Sequence, residues 1–283
     1  MKPAAFGYLT PRTREEAIEV LSRYAGDAKV LAGGQSLVPL LNFRLTSFRY
    51  LVDINRIPDL DYIRSEQGYL AIGAIARHRS VELSAEAARE CPILPEALQF
   101  VGHPVIRQRG TVCGSIAHAD PSAELPALLT ALGGSVVLEG SSGRRVADAE
   151  EYFLGYLMTA QQPDELLVEA RFPKLPNGSG FAFEELARRH GDFAIVGVAC
   201  AALPDGSLRL GVCGANSVPF RPLKAETAAA QGDLQEAGRL AAADSDPDSD
   251  LHATAEYRRA MVSKLVERAV RHALERKEGN ARG

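Results

Sequence analysis

An α+β protein built in two unequal parts is what this sequence predicts, and three observations predict it. Short apolar runs alternate with helical periodicities through the first part of the chain. The stretch Pro173-Lys174-Leu175-Pro176-Asn177-Gly178-Ser179-Gly180 then reads as a linker. Beyond it, strand-like runs come first and helices afterwards. At 283 residues the chain is long enough for two or three domains, and 46% apolar with 24% charged residues is an ordinary globular balance.

The elements follow in order. Thr13-Arg14-Glu15-Glu16 is a capping box that opens a helix. Its apolar residues Ala17, Ile18, Leu21 and Tyr24 share one face, and Gly26 closes it. Residues 29–32 read as a short buried strand feeding Ala32-Gly33-Gly34-Gln35-Ser36, and residues 36–45 as a helix with Pro39 tolerated in its first turn. Residues 51–54 form a second strand, which makes residues 1 to about 55 a small β–α unit with its glycine loop at a strand's carboxyl end.

A second unit begins near Ile57-Pro58, with a strand at 69–75 and helices at 81–89 and 95–101. Residues 102–121 carry too much glycine, proline and polar side chain for either element, so a long irregular stretch of functional character is expected there. A helix starts at Ser122-Ala123-Glu124 and ends at Gly133-Gly134. Residues 135–139 and 166–172 are strands around a hairpin-like turn at 140–145 and a short helix. After the linker come strands at 181–186, 195–203 and 207–213, then two helices joined by the acidic 244–250 segment. The last helix, about 255–275, places Tyr257, Met261, Leu265 and Val270 on one face. The boundary near residue 176 gives domains of 1–175 (subdomains about 1–55 and 56–175) and 176–283.

Composition excludes several classes of function. The net charge of −4, with arginines scattered rather than gathered, offers no footprint for nucleic acid. Cys91, Cys113, Cys200 and Cys213 show no CxxC spacing, which argues against zinc or iron–sulfur in this chain. No leader-like region or membrane-length apolar run is visible, so a cytoplasmic setting is expected.

Two glycine-centred loops carry the chemistry: Ala32 to Ser36, and Arg109-Gly110-Thr111-Val112-Cys113-Gly114-Ser115. Glycine lets a backbone curl and approach a ligand, and successive amides form a nest suited to phosphate. Neither loop is a P-loop or a GxGxxG fingerprint. Two such loops, the second followed by a polar and acidic segment, suggest a dinucleotide held from both sides. No catalytic triad or acid–base carboxylate pair is visible in the spacing.

Val30-Leu31-Ala32-Gly33-Gly34-Gln35-Ser36-Leu37, then Gly110-Thr111-Val112-Cys113-Gly114-Ser115-Ile116-Ala117-His118-Ala119-Asp120-Pro121, then Arg188-Arg189-His190-Gly191-Asp192-Phe193-Ala194 occur in that order. With these motifs the chain resembles, over essentially its whole length, the FAD-binding medium subunit of the molybdenum hydroxylases, the carbon monoxide dehydrogenase and xanthine dehydrogenase group. Asp250-Leu251-His252-Ala253 and Glu256-Tyr257-Arg258 are similar to the family's C-terminal domain.

The resemblance implies a bipartite FAD-binding domain of the vanillyl-alcohol-oxidase (PCMH) type followed by a smaller α+β C-terminal domain. It also implies a heterotrimer, which pairs into larger assemblies in the family. A large subunit would carry the molybdenum cofactor and a small subunit two [2Fe–2S] clusters, with FAD passing electrons to an external acceptor. Ala32, Gly33, Gly34, Gln35 and Ser36 would hold the FAD pyrophosphate, with Thr111, Val112, Cys113, Gly114 and Ser115 continuing the cradle. Cys113 stands where many relatives have a second glycine, so its amide can contribute only from a negative φ.

His118 and Asp120 fall where the family places polar contacts to the ribityl chain and phosphate, Glu124 where an acid binds the adenosine ribose, and Leu167 where a residue packs near the adenine or flavin. On the residues alone, His118 also reads as a loop histidine bonded to backbone, Glu124 as a favourable charge at a helix N-terminus, and Leu167 as core. Glu184 falls near a position where xanthine dehydrogenase has a lysine close to the flavin. Arg188, Arg189 and Asp192 would meet the isoalloxazine edge, dock a partner or pair with each other. With Gln35 and no histidine in the first loop, non-covalent FAD is expected. A self-sufficient FAD-dependent oxidase or reductase of the same fold is the alternative.

Overall fold

The computed structural model describes residues 2–281; Met1, Arg282 and Gly283, at the outer ends of the two expected domains, lie outside them. Strand β1 (Gly7–Leu9) precedes helix α1 (Arg14–Arg23), and β2 (Ala28–Leu31), α2 (Leu37–Asn42) and β3 (Tyr50–Asp53) complete a three-stranded parallel sheet in the order β1-β3-β2. The Thr13 hydroxyl caps α1 by accepting from Glu16 N at 3.2 Å. The return arm of the box lands one residue upstream, where the Glu16 carboxylate accepts from Arg12 N at 2.7 Å. Ala17 and Leu21 are buried under α1 as the periodicity requires, whereas β1 is too short and too exposed to leave a sequence signal.

The second unit is a five-stranded antiparallel sheet with helices on one side. A 3₁₀ turn (Pro58–Leu60) leads to β4 (Ile63–Ser65) and β5 (Tyr69–Gly73), then to α3 (His78–Glu82), α4 (Ala85–Glu90), α5 (Ile93–Leu98), α6 (Pro104–Arg107), α7 (Val112–His118) and α8 (Glu124–Leu132). Strands β6 (Ser135–Gly140) and β7 (Gly143–Asp148) form a hairpin. A short helix α9 (Ala149–Tyr152) and the small ladder of β8 (Phe153–Gly155) with β9 (Met158–Thr159) lead to β10 (Leu166–Pro173). The sheet order is β4-β5-β10-β6-β7, so the last strand of this unit lies at its centre.

Two expectations need correction. The helix expected at 81–89 is broken in two, because the Ser84 side chain accepts from Ala87 N and starts a new helix there. The irregular stretch expected at 102–121 contains two helices, α6 and α7. Thr111 caps α7 by accepting from Gly114 N at 3.1 Å, and a capped helix tolerates an internal glycine that composition alone reads as loop.

Residues 174–179 cross to β11 (Gly180–Leu186), β12 (Val196–Ala202) and β13 (Leu208–Cys213), an antiparallel sheet in that order, followed by α10 (Leu223–Ala230), α11 (Leu234–Ala243) and α12 (Ala255–Ala281). Strand β12 is buried throughout because both its faces are covered. One face packs on α10–α12 through Val198, Cys200, Val262, Val266 and Ala269. The other contributes Ala199 and Ala201, beside Phe183 of β11, to the same cluster as Leu94, Leu98, Leu128 and Phe172 of the preceding unit. The buried stripe of α12 runs through Val262, Leu265, Val266, Ala269, Val270 and Ala273. Tyr257, expected on it, is 45% exposed because it falls outside that 3.6-residue repeat.

Candidate functional site at the meeting of two glycine loops

The two glycine loops touch. A Cβ built on Gly33 would lie 2.3 Å from Arg109 O and 2.8 Å from Gly110 Cα, so only glycine permits this approach. Gly34 adopts φ +73°, a left-handed turn at the end of β2. Gly110 is equally hemmed in, since a Cβ there would meet the His78 ring at 2.8 Å. The Gln35 side-chain amide folds back to donate to Gly33 O at 3.1 Å, and Ser36 sits half-buried at the start of α2 without a capping bond.

A polar rivet, which sequence reasoning missed, holds the loops in register. Asn55 donates from Nδ2 to Ala32 O at 2.9 Å, and Arg77 donates to Asn55 Oδ1 at 2.5 Å and to Arg109 O at 2.6 Å. Asn55 is oriented in turn by Asp53, whose Oδ1 accepts from Asn55 N and Nδ2, while the Tyr8 hydroxyl donates to Asp53 Oδ2. The signal available was Asp53-Ile54-Asn55, two hydrogen-bonding side chains bracketing a strand's carboxyl end. Beside the first loop opens a cavity of about 340 Å³, bordered by Gly33, Gly34, Gln35, Asp53, Asn55 and Arg109.

The rest of the expected constellation lies along α7 and into α8. Val112 and Cys113 are buried, and the Cys113 thiol donates to Ile72 O at 3.4 Å, so its side chain points into the core and its helical backbone carries no positive φ. Gly114 and Ser115 are half-buried in the same first turns. His118 ends α7, and Ala119 reverses the chain at φ +52°. Burial holds His118 below its ordinary pKa, with Lys29 acting the same way and Asp120 opposing. Asp120 accepts from Ser122 N at 2.9 Å. Glu124 starts α8, is 5% exposed, and is pushed up to about 7 by burial. Leu167 is 4% exposed and belongs to the core, beside a bulge that shifts the register of β10 on β6 between Leu167 and Glu169.

Upstream of the third motif, Glu184 faces away from this region. It pairs with Arg268 and His272 of α12, each at 2.6 Å. Its neighbour Glu185 points to the opposite face of β11, toward Glu124, as strand alternation demands. The Arg188 guanidinium lies 3.5 Å from His252 Nδ1, and Arg189, His190, Asp192 and Phe193 are exposed. The seam between the start of α8 and the C-terminal sheet is tied by Gly214 N donating to Pro121 O at 2.8 Å.

Comparison with known proteins sharpens what this arrangement serves. The family described as FAD binding domain in molybdopterin dehydrogenase matches residues 4–175, and that described as CO dehydrogenase flavoprotein C-terminal domain matches residues 181–273. The chain is 41% identical to the 6-hydroxypseudooxynicotine dehydrogenase complex subunit alpha of Paenarthrobacter nicotinovorans, over 98% of this chain and 97% of that one. It is 36% identical to the carbon monoxide dehydrogenase medium chain of Hydrogenophaga pseudoflava, over 95% and 97% of the two. Among solved structures, reconstituted CO dehydrogenase from Oligotropha carboxidovorans superposes with a TM-score of 0.94 at 35% identity, covering 98% of this chain and all of that one (100%). Quinoline 2-oxidoreductase from Pseudomonas putida 86 gives 0.91 at 32% identity, covering 99% of each.

The chain belongs to the molybdenum hydroxylase FAD subunits. FAD fits the residues present: the Gly33–Gly110 approach leaves backbone where a Cβ would block it, and a cavity opens beside the first loop. In this flavoprotein subunit the rivet is a positioning device. Asn55→Ala should weaken FAD affinity roughly tenfold by freeing the Ala32 carbonyl and unseating Arg77, a displacement of the kind that costs orders of magnitude at a precise site. Titration of apoprotein with FAD checks this, and an affinity equal to wild type contradicts the rivet's role.

Proposed function

We propose that this subunit conducts electrons from [2Fe–2S] clusters of a small partner subunit to an external acceptor, within an assembly whose large subunit carries the molybdenum cofactor. The observation that carries the reading is the contact of Gly33 with Arg109 and Gly110, which builds one cradle from two separate loops. The relatives are named as medium chains or complex subunits, which supports partners of this kind.

FAD, when bound, supplies the ability to take electrons singly from clusters and pass them on singly or in pairs. The chain's own residues bind and orient. Backbone amides of residues 33–36 and 112–115 are the phosphate donors, Asn55 and Arg77 hold those two strips of backbone together, and Cys113 fills the core behind them. His118, Asp120 and Glu124 follow along α7 and α8 as polar contacts to the ribityl chain and ribose, and Leu167 packs in the core behind them. Among the described residues, no cluster of His, Cys, Asp or Glu is arranged to hold a metal, and no helix is long and apolar enough to cross a membrane. All four cysteines are free and buried, which supports a reducing cytoplasmic setting.

Purified with its partners, the protein should be yellow, release its flavin on acid treatment, and show flavin bleaching when the molybdenum subunit is given its substrate. Colourless protein that takes up no FAD refutes the cofactor role. Turnover of an organic donor by the isolated chain would favour the self-sufficient flavoenzyme instead.

A further inference from the structure

Helix α2 ends in a way that its own packing does not explain. Arg44 N donates to Leu41 O at 3.1 Å and Leu45 N to Leu40 O at 3.0 Å, the paired bonds of a Schellman turn. Such a turn favours glycine at its left-handed residue and folds the next apolar side chain back onto the helix. Here the left-handed residue is Arg44, at φ +56°, and the next side chain, Leu45, is 73% exposed. Phe43, on the other side of Arg44, is 63% exposed. The turn thus holds two large apolar side chains in solvent with an arginine between them.

The surface around the turn continues the pattern. The Arg44 guanidinium donates to Lys2 O at 3.1 Å and ties the N-terminal segment to the turn. That segment leads into the edge strand β1, where Phe6 and Tyr8 are exposed and Gly7 N donates to Arg49 O at 2.8 Å. Tyr8 and the exposed Val38 of α2 both border the cavity beside the first glycine loop, so the patch runs up to the cofactor site. Contiguous apolar surface of this kind marks an interaction site.

Charge specifies the partner. Residues 2–14 and 28–52 contain no Asp or Glu, although the chain as a whole carries a net charge of −4. Lys2, Arg44 and Arg49 are exposed there. Arg44 is held by a backbone carbonyl, and Arg49 lies over the Tyr50 ring, 5.5 Å from its centre, so no acid neutralises either among the described residues. Asp53, at the edge of the cavity, is taken up by Tyr8 and Asn55, and Asp27 precedes β2 on the far side of β3. A [2Fe–2S] cluster held by cysteine thiolates is anionic in both its oxidation states, and the subunit that brings it must come close to the cofactor site. An apolar centre ringed by cations beside that site complements an apolar, carboxylate-rimmed surface around an anionic cluster.

We propose that the turn between α2 and β3 is the docking surface for the [2Fe–2S] subunit, with Phe43 and Leu45 as its apolar anchors and Lys2, Arg44 and Arg49 as its charged rim. This rests on the electron-transfer reading above and adds to it the surface that receives the donor subunit.

Photocrosslinking tests it. The four native cysteines are buried, so Leu45→Cys gives this subunit one accessible thiol for benzophenone maleimide. The labelled full chain, mixed with its partner subunits and irradiated, should join to the cluster-bearing subunit. A product with the molybdenum subunit or with a second copy of this chain overturns the assignment, as does a complex that forms without any product. The double variant Phe43→Ser with Leu45→Ser should weaken binding of the cluster-bearing subunit about tenfold or more at unchanged flavin content. Arg44→Glu with Arg49→Glu should slow association about tenfold at low salt, with the gap closing at roughly 0.5 M salt. Double variants that bind as wild type does overturn the proposal while leaving the electron-transfer reading intact. Wild type that binds no cluster-bearing subunit refutes that reading itself. Should the double variants fail to fold, the crosslink, made at a side chain already in solvent, decides.

Discussion

Gly33→Ala should leave the purified subunit without flavin, raising the FAD dissociation constant by about a hundredfold or more. The added methyl would sit 2.3 Å from Arg109 O and 3.0 Å from Arg109 C, both backbone atoms that cannot rotate out of the way. The loops must therefore separate, and the bonds from Asn55 to Ala32 O and from Arg77 to Arg109 O cannot both survive that movement. Phosphate recognition by amides needs several donors in one arc, so displacing one loop weakens all of them together. Gly279→Ala is the control, because nothing lies within 4 Å of a Cβ there and the residue is helical. Flavin-to-protein stoichiometry after gel filtration is the measurement. A Gly33→Ala protein with wild-type flavin content would show that the loop contact is dispensable.

The largest loss of stability is expected from Arg258→Met. Arg258 is 6% exposed and donates at 2.9 Å to Gly214 O, with further bonds to Ile195 O at 2.5 Å and to Asp250 Oδ2 at 2.7 Å. Removing it strands two buried carbonyls and takes one partner from the half-exposed Asp250, a change of about 3–5 kcal/mol, mostly from the two unmet acceptors. For a chain of this size that corresponds to a fall in Tm of roughly 10 °C. The damage should reach the seam as well, because Gly214, held at φ +77° beside Ile195 O, donates its amide to Pro121. Thermal and urea unfolding of apoprotein would read the loss. A change under about 1 kcal/mol would mean that water replaces the guanidinium without penalty.

Much of the frame was legible because it rests on local chemistry. Thr13 caps α1, Gly133 closes α8 in the left-handed region, and the glycine loops stand at the ends of the elements that present them. What escaped the sequence depends on contacts between distant segments. Nothing near Asn55 or Arg77 announces that they join two loops. The helix α7 hides behind Gly110 and Gly114, since its stability comes from the Thr111 cap and from burial of Val112, Cys113 and Ile116. Of the two adjacent acids on β11, Glu184 pairs with Arg268 and His272 while Glu185 lies on the other face, toward Glu124. One step along a strand reverses the face, and a motif match cannot resolve a step of one residue. Leu167, readable as core or as a cofactor neighbour, is core at the bulge of β10, a position that only pairing with β6 reveals.

The shared cluster of Phe183, Ala199 and Ala201 with Leu94, Leu98 and Leu128 bears on how such a chain can be divided or recombined. The linker at 174–179 looks like a natural place to cut, yet the cut would open an apolar wound on each side, and the Phe100 and Phe183 rings, 5.3 Å apart, would both lose their cover. Exchange of C-terminal halves between related subunits therefore succeeds only when the incoming sheet brings matching side chains on its inner face. The two halves of this chain pack as one body, whatever the linker's composition suggests.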